Sequence, residues 1–464
     1  MSKAVSYVKL LLLLLCIGKA FFTQAQQLDM AVVLQEATEN YPRIKARQAA
    51  VESSEREKRA VSNAYLPRLS MQHQYTFSTS NNVEGAFYPN GITISPSGGI
   101  RTENVDEGAF GSFTSALLEW DVYSFGKLSA NTSAARAEVA VSKIALDNEI
   151  FQHQIQTADS YLQLLIAEKL THIQQRNLER AAGFSEAVDA NVRSGLRPGV
   201  DSSLAHAEYA KAKILLLESE RHENARRYQL MELLGRDAQM ESITIDSMYF
   251  FHELPDVAEA DEPSLNENPL LQLQLAKIAA SQQRGIAMKR SFYPAITLVG
   301  AAWARGSGIS NTDQAYRTDF SQGTEYQVHN YLIGAAIRWT PTDLAASRNR
   351  FKKYEHIVQQ QTEQYNEQQL RLKRQLRESE MQYELMLEQA NTAPVQLTAA
   401  RQAYLQANAR YKNGLTDLPT MLQSVVALNR AEADMAIAYS NVWRSLLMLA
   451  AAKGDLSDFI RPFN

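Results

Sequence analysis

Cysteine is nearly absent from this chain, and its single copy, Cys16, stands among the first twenty residues. A disulfide framework is therefore excluded beyond that point, as is a thiolate metal site. Long apolar runs are scarce as well. Leu10 to Gly18 is the longest, far short of the ~20 residues a spanning helix needs. There is no excess of charge of one sign, since the net charge is -4 over 464 residues. That excludes a basic footprint for nucleic acid and a strong acidic field. Catalytic signatures are also missing. The eight histidines are scattered with no His-x-x-x-His pair, and neither a Gly-rich phosphate loop nor a Gly-x-Ser-x-Gly elbow occurs. No catalytic residue, metal ligand or cofactor is expected. Met381 and Met386 read as helix packing residues and not as soft-metal ligands.

The amino terminus is rich in targeting signals. Lys3 and Lys9 precede the apolar run, and Thr23-Gln24-Ala25 offers small residues before Gln26. Residues 1–25 are expected to be a secretory signal cleaved after Ala25. Leu15 precedes Cys16 where a lipid-modified cysteine needs a small residue, which disfavours a lipoprotein. An exported chain without a membrane helix is periplasmic, secreted or a membrane β-barrel.

The chain is written twice. Asn40-Tyr41-Pro42 corresponds to Glu267-Asn268-Pro269, and Pro67 to Pro294 at the same spacing. After one slip, Trp120 pairs with Trp339, Gly195 with Gly414, Ala212 with Ala431 and Gly235 with Gly454, all at one new spacing. The repeats span 26–237 and 268–464, joined by a mixed linker at 238–267, and they are expected to intertwine as one domain. Gln48 to Ala64 is rich in helix formers, and Pro67 ends the helix. Leu69, Met71, His73, Tyr75 and Phe77 alternate with polar residues as in a strand. Strands are expected near 68–78, 109–120, 295–305 and 331–340, the second having the poorest alternation. Three of the four tryptophans (Trp120, Trp303, Trp339) fall on them. Ser80 to Gly108 and Gly306 to Asn330 read as loops.

A very long helix follows each strand pair. Gly126 to Arg193 and Ala345 to Lys412 each hold roughly 68 residues, or ~100 Å of helix. Leu178, Ala181, Ser185, Val188 and Val192 recur at heptad-like steps, as do Ala400, Tyr404, Ala407 and Tyr411. Pro394 should kink the second of these helices. Gly195 and Gly414 mark sharp reversals, and Gly235 and Gly454 end the returning helices. Four strands cannot close a membrane barrel, so copies must pool them. Three copies give about 12 strands, a plausible pore.

In this duplicated pattern the chain resembles the TolC family of outer-membrane efflux proteins. The carrying segments are Tyr65-Leu66-Pro67-Arg68-Leu69, Tyr293-Pro294-Ala295-Ile296, Leu118-Glu119-Trp120, Ile337-Arg338-Trp339, Leu233-Leu234-Gly235 and Ala409-Arg410-Tyr411-Lys412-Asn413-Gly414-Leu415. The resemblance implies a mainly α fold with a small membrane β part: a homotrimer with a 12-stranded β-barrel in outer-membrane lipid and a periplasmic helical barrel. It implies docking to a periplasmic adaptor protein and work with an inner-membrane transporter. Pro67, Trp120, Pro294 and Trp339 would be helix-to-barrel junctions. Gly195-Leu196 and Gly414-Leu415 would be adaptor-docking tips, although glycine there also serves simply to turn the chain. Tyr411 and Asp201 would be gate residues. From the residues alone, Tyr411 is a heptad core position and Asp201 a helix N-cap. The family's gate arginine falls on Thr416, leaving Arg197 on the other tip as the candidate substitute. Its acidic ring falls on Thr420 and Gln423. The implied function is a passive efflux duct opened by adaptor docking. The alternatives are a type I protein-secretion duct and, from another class, a periplasmic coiled-coil scaffold without a pore.

Overall fold

The computed structural model describes residues 27–82, 99–237, 244–245, 249–251, 254–255 and 267–463. The expected signal segment, most of the first loop and most of the 238–267 linker lie outside them. Two compact units result, and neither is a sequence repeat. The first comprises residues 1–52, 140–277 and 361–464, the second 53–139 and 278–360. Each unit draws on both halves of the chain.

The second unit holds the sheet. Helix α2 (Pro42–Ser62) runs into a 3-10 turn at Asn63–Tyr65, and strand β2 (Arg68–Ser78) follows Pro67. Strand β3 (Ala109–Tyr123), β5 (Ala295–Ser307) and β6 (Val328–Arg338) complete a four-stranded antiparallel sheet in the order β2-β3-β5-β6. β3 is longer than its weak alternation predicts, because pairing on both sides holds it in place despite Gly111. Trp339 falls just beyond β6 and not on it.

Register assigns two unlike faces. Residues directly opposite across antiparallel strands share a face. Leu69 pairs with Leu118, which pairs with Gly300, which pairs with Ile333. Met71, Ala116, Ala302 and Tyr331 form the next row of the same apolar face. The opposite face carries Arg68, Glu119, Asp121, Arg305 and Arg338 together with Gln72, Gln74 and Asn330. There Glu119 accepts hydrogen bonds from both Arg68 and Arg338. β2 and β6 are edge strands, and every residue in both is exposed.

The second loop is not irregular throughout. It contains the short helix α6 (Phe320–Thr324), capped by Asp319, which accepts from the Ser321 amide. Helix α5 (Pro269–Arg290) packs closely on α7 (Asp343–Lys412): a Cβ at Gly285 would lie 3.1 Å from that of Tyr354. Helix α7 carries Pro394 inside it without interruption.

The first unit is helical. α1 (Met30–Asn40), α3 (Lys127–Arg193), α4 (Gly199–Leu233) and α8 (Leu418–Lys453) supply most of its core. Trp443, Tyr161, Leu164 and Met30 are fully buried there. Linker residues contribute unexpectedly. Phe250 and Phe251, in a 3-10 turn, join this core, with Phe250 edge-on to Trp443 at 5.2 Å. Thr244–Ile245 (β4) pairs in parallel with Gln27–Leu28 (β1). Met386 packs within a smaller cluster, whereas Met381 is exposed. Among the described residues, no helix is long and apolar enough to cross a membrane.

Candidate functional site: two helix tips and two junctions

The two helix reversals have one backbone. Gly195 has φ +70° and Gly414 φ +71°, a left-handed conformation that a side chain would strain. At the first, the Gly195 amide donates to the Val192 carbonyl (3.0 Å) and the Leu196 amide to that of Asn191 (2.9 Å). At the second, the Gly414 amide donates to Tyr411 (3.0 Å) and the Leu415 amide to Arg410 (2.9 Å). This double closure satisfies the last carbonyls of each long helix. It leaves Leu196 and Leu415 protruding, 74% and 68% exposed.

Below the knobs, the predicted gate residues meet. Arg197 donates from Nη2 to the Tyr411 carbonyl (2.9 Å), and its guanidinium lies 4.6 Å from the Tyr411 ring centroid. The cation thus crosses from one tip to the other, where it stacks on an aromatic face. The Tyr411 ring is buried among Val188, Ala205, Leu418 and Met421, with Phe184 at 5.5 Å. Its hydroxyl has no hydrogen-bond partner among the described residues. Burial first, then the Asp201 charge, pushes the phenol above its usual range, against an opposing pull from Arg197. Tyr411 is thus a core residue, as its heptad position predicts.

Asp201 does not cap its helix. Pro198 occupies the N-cap position of α4 without a side-chain bond, and Asp201 sits buried in the first turn. The cap expected there is found at the other tip, where Asp417 accepts from the Thr420 amide (3.1 Å). Thr420 and Gln423 are exposed.

Sequence reasoning overlooked a polar seam in the first hairpin. Asp189 accepts from the Ser202 hydroxyl (2.6 Å) and faces His206 Nε2 at 3.1 Å, with Ser185 at 3.5 Å from His206 Nδ1. In the repeat these positions become Tyr404, Asn408, Met421 and Val425, most of them apolar. Ser185 in an otherwise apolar heptad series was the available signal. Higher up, Arg180 grips the buried Glu432 with two nitrogens, at 2.9 and 3.4 Å.

The predicted junction residues come together in two matching pairs. The Trp120 indole N–H donates to the Tyr65 carbonyl (2.9 Å), two residues before Pro67. Trp339 does the same to Phe292 (3.1 Å), two residues before Pro294. The duplication extends to a side-chain hydrogen bond. Among the described residues no three His, Cys, Asp or Glu converge as metal ligands would.

Solved structures that share this fold are outer-membrane channels. The Campylobacter jejuni CmeC outer membrane channel matches with a TM-score of 0.73 at 14% identity, over 94% of this chain and 89% of that one. The outer membrane protein VceC of Vibrio cholerae matches at 0.70 and 17%, over 92% and 96%. The open state of the Neisseria gonorrhoeae MtrE outer membrane channel matches at 0.68 and 16%, over 92% and 89%. No curated protein matches the chain significantly by sequence. The fold is that of an outer-membrane channel subunit. More particularly, residues 33–236 match the outer membrane efflux protein family.

Proposed function

We propose that three copies of this chain form the passive exit duct of a tripartite efflux pump, opened when a periplasmic adaptor engages the helix tips. One observation carries the reading: a sheet of only four strands ends in two fully exposed edges, β2 and β6. In hydrocarbon each unpaired backbone group costs several kcal/mol, so such edges must pair. Joining β2 of one copy to β6 of the next closes about 12 strands. Eleven residues per edge strand at ~3.3 Å and a tilt of ~40° reach ~28 Å, enough for a ~25 Å apolar band.

The tips supply docking and gate. Leu196 and Leu415 are the knobs an adaptor grips, on turns that Gly195 and Gly414 permit. Arg197, stacked on Tyr411 and near Asp201, is the latch. It occupies the repeat counterpart of Thr416, so the cation has changed tips while its aromatic partner has stayed. An adaptor that binds the parted tips more tightly than the latched ones shifts the gate open. Pump and transporter provide the energy, and the duct consumes none.

Light scattering on the detergent-extracted protein, with detergent subtracted, tests the assembly. A mass of three chains is expected. A monomer that stays soluble without detergent overturns the duct and restores the scaffold.

A further inference from the structure

We infer that the apolar face of the sheet is its lipid face, and that α6 lies on it as an outer collar at headgroup level and not as a plug in the lumen. The inference rests on the duct reading and adds which surface meets lipid. Polarity decides the faces. Arg68, Glu119, Asp121, Arg305 and Arg338 all project from one side. These charges stand near the strand ends, and between them the same side carries Gln72, Gln74, Ser115 and Asn330, whose polar groups hydrocarbon would leave unsatisfied, so this side must meet water. The other side presents Leu69, Met71, Leu118, Tyr331, Ile333 and Ile337, without a fixed charge. One row of this face is polar, His73, Thr114 and His329, with the His73 ring hydrogen-bonded to the Thr114 hydroxyl; the rows towards the helices are apolar and complement hydrocarbon.

Aromatic residues bound that face at both ends. Trp120, Tyr123 and Trp339 stand at the end nearest the helices, each roughly half exposed. Phe110 and Tyr75 stand at the other. Phe110 and Trp120 are about ten residues apart on β3, hence ~33 Å along the strand and ~25 Å after a ~40° tilt, the height of a lipid-facing apolar band. Tryptophan and tyrosine at both rims are what a membrane interface selects.

α6 is seated on this same face, at the outer rim. The Phe320 ring lies 5.6 Å from Tyr75 and 5.2 Å from Phe110. The buried Ser112 hydroxyl donates to the Thr324 carbonyl (3.0 Å). Contact is close enough that a Cβ on Gly323 would fall 2.5 Å from Phe110, and one on Gly306 2.2 Å from the Glu325 carbonyl. Ser321 and Gln322 turn outward and are exposed. The helix therefore shows the sheet an aromatic ring and the surroundings polar groups, which suits the headgroup layer.

The chain has no cysteine beyond Cys16, so single spin labels can be placed one at a time in the full protein reconstituted in phosphatidylcholine vesicles. Met71→Cys and Ile333→Cys report the apolar face, Gln72→Cys and Asn330→Cys the polar one, and Gln322→Cys the collar. All are exposed positions, so the labels perturb the fold little. The expected result is preferential relaxation by oxygen at 71 and 333, preferential relaxation by a water-soluble nickel complex at 72 and 330, and strong relaxation at 322 by a nickel-chelating headgroup lipid. If 72 and 330 meet oxygen instead, the face assignment is overturned while the duct stands. If 322 responds to aqueous nickel but not to lipid-borne nickel, α6 is a plug and the collar is overturned. If all five labels meet only water, the sheet is outside the bilayer and the duct reading falls too.

Discussion

The two helix tips share a backbone and differ in chemistry. Their glycines agree in φ to within a degree, and their closing hydrogen bonds match one for one. Beneath them, one seam is Ser185, Asp189, Ser202 and His206, the other Tyr404, Asn408, Met421 and Val425. One tip contributes the arginine and a buried aspartate, the other the tyrosine and a capping aspartate. Backbone geometry constrains only residues with special φ, such as Gly195 and Gly414, so it survives duplication. Side chains between helices need only fill space or pair, so they diverge. The resulting pair of tips is asymmetric: a polar hairpin joined to an apolar one by the Arg197–Tyr411 contact.

Several substitutions would sharpen or break that contrast. The largest effect should come from truncating repeat-equivalent seam positions. Met421, 1% exposed, should cost about 2–5 kcal/mol on replacement by Ala, whereas Ser202→Ala should stay near ~1 kcal/mol. Equal shifts in unfolding midpoint would mean that the seams are energetically alike. Gly195→Ala and Gly414→Ala should each cost about 1–2 kcal/mol, because only backbone strain opposes the new Cβ. Nothing lies within 4 Å at Gly195, and only the Arg197 Nη2 lies near Gly414, at 4.0 Å. Unequal costs would show that the turns are not equivalent. Arg197→Gln should weaken the latch by about 1 kcal/mol and raise channel opening in planar bilayers, while Thr416→Ala should leave conductance unchanged. An effect from Thr416 alone would put the latch back on the other tip.

Acid should produce the smallest difference. Hydrogen bonds from Thr420 hold the Asp417 carboxyl below its ordinary 3.8. A depressed carboxylate contributes stability above its unfolded value, and that stability is lost as pH falls through the folded one. The protection of the Thr420 amide, relative to its intrinsic exchange rate, should therefore fall as pH drops below ~4. The start of α4, where Pro198 provides no side-chain cap, should show no such step. Matching acid profiles at both helix starts would remove the capping difference.

Much of this was legible from spacing alone. Gly195, Gly414, Gly235 and Gly454 announced their turns because only glycine takes φ > 0 cheaply, and all four do. Pro67 and Pro294 marked strand starts for a similar local reason. Features that depend on pairing were hidden. The full length of β3 comes from two neighbours that hold it, not from its own alternation. α6 is too short for any periodicity to register. Phe250 and Phe251 sit in a segment with no pattern, yet they complete a core. The Arg197–Tyr411 contact joins residues 214 positions apart, and nothing at either position names the other.

The indole-to-carbonyl bonds of Trp120 and Trp339 have a practical meaning for protein engineering. Each fastens the two ends of a strand–loop–strand segment, 55 residues apart in one half and 47 in the other. A segment bounded by Tyr65 and Trp120, or by Phe292 and Trp339, therefore carries its own clasp. Such cassettes are the natural units to exchange when building chimeras that keep the helices of one duct and borrow the outer rim of another.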